Sequence, residues 1–294
     1  MSIVITAPTG NIGSHLVELL LASEADLTLL VRNPDKLDAS VRSRVKVAQG
    51  ELQDAAFVQR ATQGAEALFF LAPPNFTAPN VRAYYQSLSD AAVQAVKANN
   101  IPHVVLISSG GAGSPNAGLV SETFRIEEAL NATPASVLNL RCGFFMENFL
   151  MYMPTLRDQG AFYSLVRPDL PMPMVATRDI AAVAAHKLQD RGWQGKGHLA
   201  VHGAADITPD QAAQIIGDVV GKTIRYVQVS TEQVLQTLLQ MGATPDVAAH
   251  YVQMLQAFDQ GIYGNELRTP ETTTPTTLRL WASEVLKPAL NATA

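Results

Sequence analysis

Five consecutive residues, Thr9-Gly10-Asn11-Ile12-Gly13, separate a β-branched apolar run, Ser2–Thr6, from an apolar segment in which Ile12, Leu16, Leu19 and Leu20 recur at helical spacing. A strand that turns through glycine into a helix can hold an anion. The N–H groups of the first helical turn lack intrahelical partners, and the helix dipole puts partial positive charge at that end. Gly10 and Gly13 let backbone approach a pyrophosphate and let helix pack closely on strand, as in the G-x-G-x-x-G turn of dinucleotide-binding proteins. Ala7 stands where that pattern has its first glycine.

If a dinucleotide lies there, its adenosine ribose reaches the end of the second strand. An acidic residue at that point selects NAD, whereas arginine accommodates the 2′-phosphate of NADP. The residue is Arg32, 22 positions beyond Gly10, with Lys36 four residues later, and this predicts NADPH. Further strand ends supply Gly50, Glu51 and Leu52, then Leu71, Ala72 and Pro73, then Ser108 and Ser109. Ligands of parallel sheets bind at such carboxyl ends. Singly each is only a strand terminus; together they outline one cleft.

The Tyr-x-x-x-Lys pair of ordinary short-chain dehydrogenases is absent, because no tyrosine has lysine four residues later. That pair polarises a carbonyl and supplies its proton through a phenol made acidic by a neighbouring cation. Its absence points away from alcohol–ketone chemistry and towards hydride transfer to an acceptor that is already electron-poor. For such an acceptor the protein need only provide alignment. The catalytic residue is therefore unknown at this level. Phe144, Phe145, Met146, Asn148, Phe149 and Tyr152, with Tyr163 farther along, could form the wall against which a flat acceptor stacks. Methionine and aromatics at this spacing also serve as ordinary core. Asn148 is the exception, since a polar residue within an apolar run needs a specific partner.

Other signals fail. Gly217–Thr223 resembles a phosphate-binding loop but is one residue short between its glycines and ends a helix, so Gly221 reads as a helix terminator. His198 and His202 share a strand face without a neighbouring acid or cysteine in sequence, and no metal is expected. No G-x-S-x-G elbow supports a serine nucleophile.

The elements that must position these residues follow from the same chain. It has 294 residues, 47% of them hydrophobic and 16% charged, enough for a large core. Its net charge of −5 comes without a basic patch, which argues against nucleic acid. No apolar run is long enough to span a membrane, and the apolar start lacks the basic lead-in of a signal peptide. Cys142 is the only cysteine, compatible with a reducing cytoplasm, where we expect the protein. Strands near 27–31, 44–48, 66–71 and 102–108 alternate with helices near 12–22, 55–63 and 79–99. Such alternation predicts an α/β fold: a Rossmann-type doubly wound parallel sheet with a smaller α/β C-terminal substrate-binding part. Ser109–Gly118 is glycine-rich and reads as a mobile loop. Beyond it lie a helix near 120–131 and a strand at 136–140. Residues 160–176 look irregular, and helices begin at Thr208-Pro209-Asp210 and Thr244-Pro245-Asp246 with a strand at 224–229 between them. We expect residues 1–150 to form the nucleotide-binding domain. Residues 151–294 would supply the far wall, with some segments returning to the sheet.

Several of these segments together resemble the NmrA-like branch of the atypical short-chain dehydrogenases/reductases. They are the strand–TGxxG–helix opening, Val31-Arg32-Asn33-Pro34, Leu140-Arg141-x-Gly143-Phe144-Phe145-Met146-Glu147-Asn148, Arg178-Asp179-Ile180-Ala181 and Ile207-Thr208-Pro209-x-Gln211-Ala212-Ala213. The chain departs from the family at Ala7 and at Cys142, where proline is common. The resemblance implies one of two functions. The first is an NADPH-dependent, flavin-free reductase of a small aromatic acceptor, an azo compound or a quinone. The second is a non-catalytic NADP(H)-sensing regulator acting through a protein partner. Monomer and homodimer are both compatible with it.

Overall fold

The computed structural model describes residues 2–114 and 116–292. Its first half alternates strand and helix: β1 (Ser2–Thr6), α1 (Asn11–Ala22), β2 (Asp26–Val31), α2 (Ala39–Arg42), β3 (Lys46–Gln49), α3 (Ala55–Ala61), β4 (Ala67–Phe70), α4 (Val81–Ala98), β5 (His103–Ser109), α5 (Leu119–Asn131) and β6 (Ser136–Cys142). The second half is less regular: β7 (Phe144–Phe145), α6 (Met153–Asp158), β8 (Ala161–Ser164), β9 (Met172–Val175), α7 (Thr177–Gln189), β10 (Lys196–Val201), β11 (Asp206–Ile207), α8 (Pro209–Val220), β12 (Arg225–Gln228), α9 (Thr231–Gln240), α10 (Pro245–Asp259), α11 (Leu278–Trp281) and α12 (Lys287–Asn291).

Seven strands form one sheet in the order β10-β6-β5-β4-β1-β2-β3. Every pairing in it is parallel. Side chains alternate across a strand, so a sheet buried on both faces needs apolar residues at nearly every position. β1 shows this directly. Val4 joins one core with Leu68, Val104 and residues of α3, α4 and α5, while Ile3 and Ile5 join the opposite core with residues of α1 and α7. The doubly wound architecture is thus the predicted one. β10 and α7 both lie beyond residue 150, yet they complete this body: β10 closes one edge against β6 and α7 packs over α1.

A third core, around Met146, Phe149, Phe162, Met174, Phe258 and Trp281, lies between the remaining elements. Two small sheets, β11-β9-β7 and β12-β8, brace it. Two carboxylates tie it to α7, which packs over the main sheet. Glu147 accepts from the Trp281 indole N–H at 3.0 Å and from the Thr177 N–H at 3.0 Å. Asp179 accepts from the Thr276 N–H at 2.9 Å and from its hydroxyl at 2.7 Å.

The structure contains elements that the sequence reading does not, chief among them β8, β9 and α9. Residues 160–176 contain β8 and β9, whose partners lie far away in sequence, so no local pattern marks them. Helix α9 follows Ser230 and was also not anticipated, although Ser230 and Gln233 form a complete capping box. The caps at Asp54, Thr208 and Thr244 are the expected ones, and Gly221 ends α8 in the left-handed conformation at φ 75°. No helix among the described residues is long and apolar enough to cross a membrane.

Candidate functional site

The crevice opens at the carboxyl ends of the strands, between β1 and β4, where the chain leaves neighbouring strands in opposite directions. Thr6 closes its floor: its hydroxyl donates to the Leu71 carbonyl at 3.1 Å and accepts from the Leu71 N–H at 2.8 Å. After Thr6 the chain turns back through Ala7, whose φ of 49° is left-handed. That conformation explains why glycine is usual there, and an L-residue adopts it at a cost of about 1–2 kcal/mol. The Gly10 N–H donates to the Ala7 carbonyl at 3.1 Å, closing the turn. Gly10 caps α1 with no side-chain hydrogen bond. The N–H groups of Asn11, Ile12 and Gly13 have no acceptor among the described residues. A Cβ on Gly13 would lie 2.2 Å from the Ala7 carbonyl oxygen, so only glycine permits this approach of helix and turn.

Arg32, at the end of β2, and Lys36 are exposed, and neither forms an ion pair among the described residues. Asn33 caps the short turn between them by accepting from the Asp35 N–H at 2.9 Å. Gly50 is pinned beside β2 by its N–H bond to the Val31 carbonyl at 3.0 Å. Its α-carbon faces the Phe57 ring, where a Cβ would lie 2.6 Å away. Glu51 is exposed and Leu52 half-buried against the core. Tyr84, which sequence reasoning left in a helix face, joins this end. Its hydroxyl donates to the Pro73 carbonyl at 2.8 Å. Burial pushes the phenol pKa up, with Arg32 drawing it down and Glu51 up.

At the other end the crevice widens into a cavity of about 340 Å³, within the size range of small-molecule sites. Leu71, Ala72, Ser108 and Ser109 form its inner edge, and Phe144, Phe145, Asn148, Phe149 and Tyr152 form the facing wall. Phe149 meets Phe162 edge-on at 5.2 Å and Phe144 at 6.1 Å. Met146 is the correction. It is completely buried among core residues and does not line the cavity. Tyr163 is outside too, its hydroxyl donating to Gln159. The nucleotide-end residues Thr9–Gly13, Arg32, Lys36 and Gly50–Leu52 lie along the crevice away from the cavity.

Sequence reasoning missed the outer wall: Phe162, Tyr226, Tyr251, Met254, Phe258 and Tyr263. These residues come from β8, β12, α10 and the turn after it, and they meet only in three dimensions. Tyr263 packs against Gly110, where a Cβ would lie 2.8 Å from its ring. The glycine-rich segment is held at Asn265, whose amide donates to the Ala112 carbonyl at 3.0 Å. Arg141 secures the same turn with bonds to Glu127 at 2.9 Å and Glu266 at 3.0 Å. Glu266 also lies 3.9 Å from His198, an acid the sequence gave no reason to place there. Among the described residues no group of three His, Cys, Asp or Glu side chains is set to hold a metal ion. Burial pushes up the pKa of the Cys142 thiol and of the Tyr152, Tyr226, Tyr251 and Tyr263 phenols, which keeps all of them neutral.

Comparison with known proteins matches this geometry. The model of the NmrA-like family matches residues 1–281. The NAD(P)H azoreductase of Xenophilus azovorans is 26% identical over 247 residues, covering 84% of this chain and 83% of that protein. Quinone oxidoreductase 2 of Escherichia coli K12 is 26% identical over 250 residues, covering 84% of each. The crystal structure of the E. coli NADPH-dependent quinone oxidoreductase complexed with NADPH superposes with a TM-score of 0.79 at 24% identity, covering 97% of this chain and 99% of that one.

Proposed function

The chain belongs to the NmrA-like family, and from that premise we propose that it is an NADPH-dependent, flavin-free reductase of a small, electron-poor aromatic acceptor such as a quinone or an azo compound. Relatives named as NAD(P)H azoreductase and quinone oxidoreductase support an oxidoreductase. In this reading residues 1–150 hold the nucleotide and residues 151–294 supply the outer wall of the acceptor cavity.

The chain's own geometry suits the cofactor. Three unpartnered N–H groups at the start of α1 and the close approach at Gly13 suit a pyrophosphate. Arg32 and Lys36, free of carboxylate partners among the described residues, suit a 2′-phosphate. NADPH, when bound, supplies the hydride. The protein's part is alignment and exclusion of water. Leu71, Ala72, Ser108 and Ser109 bound the inner edge at which the nicotinamide end of a dinucleotide laid along the strand ends would arrive. The aromatic wall stacks the acceptor over that edge, which supplies proximity without covalent chemistry. A quinone that accepts hydride becomes a stabilised phenolate and takes its proton from water, so no Tyr-x-x-x-Lys pair is required.

The observation that carries this reading is that Leu71, which lines the aromatic cavity, is hydrogen-bonded in both directions to Thr6, the residue that leads into the glycine-built turn. The test is NADPH oxidation by the purified protein with a panel of quinones and azo dyes. Saturable turnover is expected. Tight NADPH binding with no turnover across the panel overturns it in favour of nucleotide sensing.

A further inference from the structure

None of the described residues lining the cavity is Asp, Glu, Lys, Arg or His. Its polar groups are all neutral: the Asn148 amide, serine and threonine hydroxyls, and phenols. The Tyr226 hydroxyl is already committed to the carbonyls of Ser164 and Val166. Tyr152, Tyr226 and Tyr251 lie close enough for their phenols to influence one another.

Resting on the reductase reading, we propose that this cavity is a charge filter: it admits flat aromatic acceptors whose substituents are uncharged and refuses those bearing a sulfonate or carboxylate. An anion entering it would lose its water without gaining a cation or a charge-assisted hydrogen bond, the costliest way to bury charge. A neutral quinone oxygen, an azo nitrogen or a phenol loses little by comparison, because Asn148 and the free phenols offer ordinary hydrogen bonds. The filter thus acts through what the wall lacks.

Two acceptors of nearly the same outline, 1,4-naphthoquinone and its 2-sulfonate, separate the possibilities. The sulfonate withdraws electrons and makes the second the better hydride acceptor in solution, so preference for the first reports the cavity. We expect kcat/KM to favour the neutral quinone by about 100-fold or more. A turnover-free arm uses 2-naphthol and 2-naphthol-6-sulfonate with the NADP+ complex, read by equilibrium dialysis. Only the neutral compound should bind. Met254→Lys, which places an ammonium in the outer wall, should reduce the selectivity at least about tenfold. Comparable rates or comparable binding for both members of a pair overturn the filter, as does binding of neither naphthol or unchanged selectivity in a folded Met254→Lys protein. If the quinones are not reduced but the naphthols still bind selectively, the reductase reading fails and the filter stands. Should the variant fail to fold, the wild-type arms decide.

Discussion

The two ends of the crevice are built by different means. At the nucleotide end the working groups are backbone: the turn at Ala7–Gly10, the N–H groups of Asn11–Gly13, and the close approach at Gly13. They come from one contiguous stretch, and exposed Arg32 and Lys36 are the only cations it brings up from β2 and the turn after it. At the cavity end the working groups are side chains from the ends of β4, β5 and β6, from α4 and α5 and from the elements beyond, and among the described residues no charged side chain lines the wall. A backbone site tolerates almost any side chain except at its glycines. A side-chain site is distributed, so it can change its ligand without changing the fold.

Substitutions can break or sharpen that contrast. Gly13→Val should have the largest effect. Its Cβ would sit 2.2 Å from the Ala7 carbonyl oxygen, so turn and helix must separate. NADPH binding should vanish in calorimetry while circular dichroism still shows a folded protein; retained affinity would mean the turn is not the cradle. Phe149→Ala removes a side chain only 2% exposed and should cost about 3–5 kcal/mol in denaturant unfolding. NADPH affinity should stay within about twofold, since distant sites behave independently. A large loss of affinity would join the two ends that we separate. Arg32→Asp should weaken NADPH about 100-fold by losing a charge-assisted contact and adding repulsion, and should leave NADH nearly unchanged. Equal effects on both nucleotides would remove Arg32 from the phosphate. Ala7→Gly relieves a φ of 49°. Offset by the greater freedom of glycine in the unfolded chain, it should raise stability by roughly 0.5–1 kcal/mol. A drop in melting temperature would contradict the strain. The smallest effect belongs to Cys142. Burial favours its neutral thiol, so the thiolate fraction near neutral pH is lower than for a free cysteine. Iodoacetamide should leave the native protein unlabelled by mass spectrometry, and rapid labelling would show the cavity is wetter at that wall.

Much of the fold could be read in the chain because parallel strands buried on both faces must be continuous apolar runs, and helices must announce their ends. Ser2–Thr6, Ala67–Phe70 and the caps at Asp54, Thr208 and Thr244 are local facts with local causes. Helix α9 was legible too, in the capping box of Ser230 and Gln233. Strands β8 and β9 were not, because their pairing partners supply the reason for their existence. The same limit governs the cavity. Phe144, Asn148 and Phe149 stand in one stretch, but whether each faces the cavity or the core depends on the turn that carries them, and Met146 fell on the other side.

By itself, then, the sequence determined the glycine turn, the arginine beyond β2 and the alternating layers that carry them. Each depends on residues within one turn or one strand of its neighbours, where backbone sterics and periodicity act. Tertiary structure alone decided that Tyr226, Tyr251 and Phe258 close the cavity and that no charged side chain among the described residues lines it. Those are relations between segments remote from one another in the chain, brought together by burial of apolar surface, which has no direction and so leaves no signature at any single position.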